Sequence, residues 1–568
     1  MGMLSSSGII MRMRTAVYSD NYKISGNMMT YLYKTQYINF YNTYSNYMSY
    51  FSLDTSKSFK DQKYGEAKEG GQALEASFLG AFDGTWFDYF MSLAKEQATQ
   101  ILTYCEEADA RGITLDKDDK AEIDEAIKTL EQTASSSGYT VNSYLANMYG
   151  KGVKISDVRK AMELSSLASK CASAIEKELG DAVTESDINT RYDSDKDKYN
   201  FVDYDYYLIK VVYDDIVEEL LGADYTDDQL EAEKDNVLAK YREKIAAAKE
   251  ITEKLKAQTS VADFEKVMYA TLASDYYDTK FSAAGLSDEE KPGETVLQAV
   301  KDAMIDKLVE EIMSSAGETT GDSSETDGTY NIYGQTVSSA AATAFDSIKK
   351  DVFESLLKDK TTYILEKQSF KEDDDFSEWA FGDGRFVNET HTIYTGDGSD
   401  EAAEITNSDG HFYAYAYIIT KPEYRDETLT RNVSYMIFSS EDDAKEAIEA
   451  FVNGGTFTAE AFEKVAEDAE NVAGSGSYKN YQKGELGYDE FDEWLYSDER
   501  VTGDYTSAPV KLGSNYYALM FYSGEGDAAW YNNVYDTILS ERYETYYKNM
   551  TAKYTVTAKD KVINKVDD

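Results

Sequence analysis

At 568 residues the chain exceeds what one hydrophobic core supports, so roughly two to four domains are expected. Its 57 Lys and Arg face 106 Asp and Glu, and the resulting charge of −49 repels phosphate backbones and anionic lipid headgroups, which excludes nucleic acid as a partner. With 42% hydrophobic and 13% aromatic residues the chain can still bury cores, and its 49 Tyr against 23 Phe suit half-buried surfaces that keep a polar tip wet.

The opening, Met1 to Arg14, lacks the apolar core of a signal peptide, and residues 1–26 read as an N-terminal segment left by a trimmed anchor. No apolar run approaches the roughly 18 residues of a membrane span. From Asn27 the residues Tyr33, Tyr37, Phe40, Tyr41, Tyr44, Met48 and Phe51 step at three and four, which predicts a helix with an aromatic stripe. Trp86, Phe90, Leu93, Ile101, Cys105 and Ala108 repeat that spacing as far as Gly112. Asp118 or Asp119 is placed to cap a helix carrying Ile123, Ile127 and Leu130. Thr140 opens a short helix through Tyr149, and Val158, Met162, Leu167, Cys171 and Ile175 mark a long one. Residues 27–200 therefore read as a helical domain. Cys105 and Cys171 sit on its apolar faces without zinc spacing, which predicts buried thiols.

Val202 to Val211 reads as a strand, followed by a long charged helix, Asp228 to Ala257, and a shorter one, Ala262 to Leu272. Residues 274–369 then read as an insertion, with helices around Val296 to Met313 and Ser338 to Tyr363 and a mobile loop between them, Ser314 to Gly334. Next comes Phe376-Ser377-Glu378-Trp379-Ala380-Phe381-Gly382-Asp383-Gly384-Arg385. It recurs as Phe491-Asp492-Glu493-Trp494-Leu495-Tyr496-Ser497-Asp498-Glu499-Arg500. The shared Phe-x-Glu-Trp-x-aromatic-x-Asp-x-Arg is too long for chance. A closing strand follows each copy, His411-Phe412-Tyr413-Ala414 against Asn515-Tyr516-Tyr517-Ala518.

Residues 201–421 and 422–526 are thus expected to be two copies of one module. In the second copy the order is clearest: a strand, Val433 to Phe438; a helix, Glu441 to Val452, stopped by Gly454-Gly455; a helix near Ala459 to Ala469; a Gly/Ser turn; Gly484-Glu485-Leu486-Gly487; a short helix, Phe491 to Tyr496; Pro509-Val510; and a strand, Tyr516 to Tyr522. Residues 527–568 carry Trp530, Val534, Ile538, Leu539, Tyr543, Tyr546 and Tyr547, an amphipathic helix with no neighbour in sequence to bury it.

That order, with Tyr435-Met436-Ile437 in the opening strand and Asn515-Tyr516-Tyr517-Ala518-Leu519 in the closing one, resembles the parvulin-type peptidyl-prolyl isomerases carried by PrsA-like and SurA-like extracytoplasmic foldases. The resemblance implies an α+β class: a helical chaperone domain closed by the C-terminal helix, plus two tandem parvulin-like modules, each a small antiparallel sheet with helices. It places the family's two active-site histidines on neighbouring strands, but the four positions hold tyrosine here, Tyr207 and Tyr413 in the first module and Tyr435 and Tyr517 in the second. It also places a substrate pocket at Met436, Phe491, Tyr496 and Leu519, although the segment from Gly487 to Phe491 is shorter than usual and lacks the family's Met.

Rotation about an X-Pro bond faces a barrier of about 18–20 kcal/mol, and a protein lowers it by seating the ring in an apolar pocket and favouring the twisted amide. Tyrosine holds a hydrogen bond but does not titrate near neutrality, so neither module is expected to turn over prolines efficiently. The only histidines, His391 and His411, read as solvated loop residues, and no Gly-x-Ser-x-Gly or Cys/His signature accompanies them. Asp193-Ser194-Asp195-Lys196-Asp197 opens like a calcium loop, but Lys198 stands where Gly is needed and Tyr204 where Glu is needed, so no metal is expected. No phosphate-cradling loop exists and no cofactor is expected. The resemblance implies an extracytoplasmic folding factor whose partners are unfolded, exported polypeptides and whose only membrane contact is an N-terminal anchor. An active isomerase and an adhesive surface protein on the same scaffold are the alternatives.

Overall fold

The structure, a computed structural model, describes residues 9–45, 51, 53–65, 80–314, 323–326, 329–359, 362–398 and 410–566. Residues 1–8 of the expected anchor segment, Met48 of the aromatic stripe and much of the expected Ser314 to Gly334 loop lie outside the described residues. The class is mixed α+β with several small antiparallel sheets. The chain divides into two units, Met1–Asn189 with Tyr535–Asp568, and Thr190–Val534.

In the first unit, β1 (Thr15–Tyr18) pairs on one side with β2 (Lys23–Ser25) and on the other with the C-terminal strand Thr557–Ala558, Val17 opposite Ala558. Helix α1 (Ile9–Met13) precedes these strands, and α2 (Gly26–Tyr44), α3 (Trp86–Arg111), α4 (Lys117–Ser136), α5 (Val141–Tyr149) and α6 (Ile155–Asp181) follow. α2 spans Gly26–Tyr44, residues 46–50 lie outside the described residues, and the Phe51 ring stands 5.0 Å from Phe40, with Trp86 and Phe90 completing the cluster. The cap of α4 is Asp116 rather than Asp118 or Asp119, because Asp116 accepts from both of their backbone N–H groups while Asp119 reaches back to the Asp116 N–H. Cys105 and Cys171 are buried thiols.

The C-terminal helix Ala529–Lys553 fastens to α3 within this unit through one carboxylate. Glu107, 6% exposed, accepts from Tyr546 Oη at 2.5 Å, Tyr554 Oη at 2.8 Å, Lys553 Nζ at 3.1 Å and Arg111 Nε at 2.9 Å. Burial would raise this carboxyl, but those donors together hold it down at about 2.

The second unit holds two sheets of one topology. In the first module β3 (Asn200–Val212) leads into α7 (Tyr213–Leu221), α8 (Asp227–Lys256) and α9 (Val261–Ala283). Then come α10 (Glu294–Met313), a small sheet of β4 (Ser323–Thr326), β5 (Thr329–Ile332) and β6 (Gln335–Val337), and α11 (Ser339–Asp359). The module closes with β7 (Ile364–Ser369), α12 (Asp375–Ala380), β8 (Thr390–Gly396) and β9 (His411–Arg425). Two expectations need correcting: α7 follows the opening strand directly, and α9 runs through residue 274, where the insertion was expected to begin. The second module has β10 (Leu429–Phe438), α13 (Glu441–Gly454), α14 (Ala459–Asp468), β11 (Val472–Tyr481), α15 (Asp489–Leu495), β12 (Val510–Leu512) and β13 (Tyr516–Ala528). The expected Gly/Ser turn is the strand β11: Gly and Ser are weak strand formers, but this strand lies along Tyr435, whose ring needs the space over Gly476.

The sheet orders are β7-β3-β9-β8 and β11-β10-β13-β12. In both, the opening and closing strands are central, the third strand is one edge, and the strand before the short helix is the other. The long helices cover one face of each sheet, and the short helix, α12 or α15, approaches the other.

Candidate functional site

The repeated ten-residue pattern builds the same local device twice. Phe376 on α12 lies 4.1 Å from the Tyr417 ring, and Phe491 on α15 is fully buried against β10 and β13. Arg385 Nε donates to the Trp379 carbonyl at 2.7 Å, and its guanidinium lies 5.0 Å from the centre of that indole. Arg500 does the same to Trp494, at 3.1 Å and 3.9 Å. The Phe thus anchors the short helix, while the Arg donates to a carbonyl at the helix's C-terminal end, one that in the first copy also accepts from the Gly382 N–H at 3.0 Å, and covers the indole.

Antiparallel partners share a face of their sheet, so register decides which side chains can meet. Tyr435 pairs with Met520, and Tyr517 pairs with Phe438, three positions along. Tyr435 therefore faces α15, while Tyr517 faces α13 and α14. In the first module Tyr207 pairs with Ala416 and Tyr413 with Lys210, so these two also point to opposite faces. The positions named for the histidine pair are on adjacent strands in both modules but are not brought together. Nor do the named pocket residues converge: Met436 and Leu519 are buried beneath α13 and α14, whereas Phe491 and Tyr496 lie on the other face. Tyr496 Oη donates to the Tyr481 carbonyl at 2.7 Å, a structural bond. The Tyr435 ring covers Gly476, stands 5.6 Å from Tyr478 and meets Phe491 edge-on at 6.2 Å. Aromatic rings pack closely around Tyr435 on that face.

A different set of residues gathers on the short-helix face of the first sheet. Tyr206, Tyr417 and His391 stand in one row across β3, β9 and β8; Leu208, Tyr415 and Ile393 in the next; and Lys210, Tyr413 and Thr395 in a third. Along β9 the rings run nearly parallel, Tyr417 to Tyr415 at 5.8 Å and Tyr415 to Tyr413 at 6.4 Å. α12 covers the Tyr417 end of this ladder and leaves Tyr206, Tyr413 and Tyr415 half-exposed. His391, expected as a loop residue, is on β8 with its ring stacked 4.5 Å from Trp379; His411 opens β9 and is exposed.

Burial raises the Tyr415 hydroxyl and, with Asp374 beside it, pushes Tyr204 up to about 12. Burial, with Lys256 and Arg385 nearby, lowers the His391 imidazole, so at neutral pH these groups are uncharged. The face presents a row of aromatic rings with polar tips, with Lys210 beside Tyr413. This ladder was legible in the chain: Tyr413-Ala414-Tyr415-Ala416-Tyr417 alternates with period two, which sends all three tyrosines to one side of a strand.

Among the described residues no group of three or more His, Cys, Asp or Glu is placed to hold a metal ion, and no helix is long and apolar enough to cross a membrane. No known protein-family model matches this chain, and no curated protein sequence matches it significantly.

Proposed function

We propose that this protein is an extracytoplasmic folding factor that holds unfolded polypeptides, built on two parvulin-like modules that have lost the isomerase site. The observation that carries this reading is the half-exposed tyrosine ladder of Tyr206, Tyr413 and Tyr415. Parallel rings with polar tips make many weak, wet contacts with exposed apolar side chains and demand little of the client's sequence. The shared 2-1-4-3 strand order of the two sheets supports kinship between the modules, and their separated tyrosine pairs argue against turnover of prolines. The charge of −49 keeps a client-loaded complex soluble.

The test is suppression of light scattering by a chemically denatured, aggregation-prone protein diluted into buffer with the full chain. Wild type is expected to suppress scattering at near-stoichiometric ratios, and the Tyr206→Ser/Tyr415→Ser double variant to lose most of that effect while keeping its circular dichroism. Equal suppression by both, or none by wild type, overturns the reading. Acceleration of a proline-limited refolding step by wild type would instead favour the isomerase.

A further inference from the structure

Edge strands invite pairing with foreign chains, and folded proteins blunt them with charge, bulges, brevity or cover. Of the four edges of the two module sheets, three are blunted. β7 has six residues, carries Glu366 and Lys367, and is broken by a register shift against β3, with Lys367 in the left-handed region at φ 51°. β8 is flanked by α8, since Thr390 Oγ1 donates to the Lys256 carbonyl at 2.6 Å and Tyr394 Oη to Glu253 at 3.0 Å. β12 is three residues long.

β11 is different. It has ten residues, Val472-Ala473-Gly474-Ser475-Gly476-Ser477-Tyr478-Lys479-Asn480-Tyr481, without Pro or acid, and Lys479 is its sole charge. Five consecutive residues, Gly474 to Tyr478, pair with β10 without interruption, and the register shifts fall only at the two ends, where Asn471 and Asn480 take left-handed backbones. From Val472 to Asn480 no residue is buried, and among the described residues nothing pairs with the outer edge. On the face beside that edge, Tyr478 and Tyr435 stand ring to ring.

We propose that β11 is a docking edge where an extended segment of a foreign, unfolded polypeptide adds as the next strand of the second module's sheet. The occupant is identified by charge: a second copy of this chain would bring another −49, whereas an uncharged or mildly basic extended segment meets an edge free of acid on an acidic protein. Backbone hydrogen bonds supply most of the affinity, and alternate side chains of the segment lie beside Tyr478. This inference rests on the client-holding role and names how a client would be gripped: rings at one module, backbone at the other.

The test uses the full chain and a fluorescein-labelled peptide of alternating Val and Thr with a Lys at each end, read by anisotropy and by hydrogen exchange. Binding is expected to slow exchange of amides within residues 472–479. N-methylation of one alternate set of peptide amides is expected to weaken binding about tenfold, and methylation of the other set much less, because only one set faces the edge. Equal binding by both methylated peptides, or protection elsewhere than 472–479, overturns the inference. If that happens while the ladder variant still loses aggregation suppression, only the edge falls and the holding role stands. Protection of 472–479 that grows with protein concentration in the absence of peptide would show self-association and overturn the choice of a foreign strand.

Discussion

Arg500 grips the residue that precedes it by six in two ways at once: its Nε donates to the Trp494 carbonyl at 3.1 Å, and its guanidinium lies 3.9 Å from the indole centre. Both contacts depend on a planar donor in a fixed orientation. Arg500→Ala is expected to destabilise the second module by about 1–3 kcal/mol, and Arg500→Lys to recover little of it, since an ammonium can neither stack nor present that Nε. Hydrogen exchange across residues 489–522 reads the effect. Unchanged protection in both variants would leave the repeated motif without a structural role.

Placing histidines at the positions marked by the parvulin resemblance is expected to create no isomerase. In Tyr435→His/Tyr517→His the two imidazoles emerge on opposite faces of the sheet, so no acceleration of proline-limited refolding is expected. Tyr435→His/Met520→His puts both on one face, and any isomerase activity gained should appear in that pair first. Activity in the former pair alone would show that the strand register is different.

Asp205 on β3 is 2% exposed and faces the helical side of the first sheet. Burial, with Glu265 adding like charge, pushes its carboxyl up to about 7. The folded state therefore holds a proton that the unfolded chain releases near pH 4, and stability falls as pH rises from about 4 to about 7, then levels. Asp205→Asn keeps the neutral shape at every pH. It is expected to raise stability by on the order of 2–4 kcal/mol above pH 7 and by almost nothing below pH 4. Thermal melts of both proteins at pH 4, 6 and 8 check this. A constant difference across pH would mean that Asp205 is ionised when folded.

Glu107 has the opposite sign. Its carboxyl, held at about 2 by two tyrosines, Lys553 and Arg111, adds stability that is complete above its unfolded value near 4 and is lost as pH falls toward 2. Glu107→Gln should cost about 2–3 kcal/mol at pH 7, where Arg111 and Lys553 lose their partner, and should flatten the acid limb of the stability curve. Exchange of amides in residues 543–553 should quicken, because these bonds fasten that part of the C-terminal helix. If that stretch is unaffected, the fastening lies elsewhere.

Much of the local structure was written in spacing and caps. The helix ending at Gly112 is stopped by a left-handed glycine, the helix from Val141 to Tyr149 is capped by Thr140, and the Phe-x-Glu-Trp pattern announced a module used twice. The alternation of Tyr413, Tyr415 and Tyr417 could have assigned three rings to one face, although the closing strand expected there stops at Ala414. What composition could not supply was register. A strand's faces swap with each single-residue slip, so whether Tyr435 meets Tyr517 or Met520 depends on how β10 and β13 align, which is settled by the helices that bury one face. Nor could Gly474 to Ser477 be told from a turn, because their weak strand propensity is overridden only by pairing with β10 beneath the ring of Tyr435. The sequence by itself determined most of the helices and the repeat. Only tertiary pairing decided which side chains share a face and which edge is left open, because both depend on contacts between segments far apart in the chain.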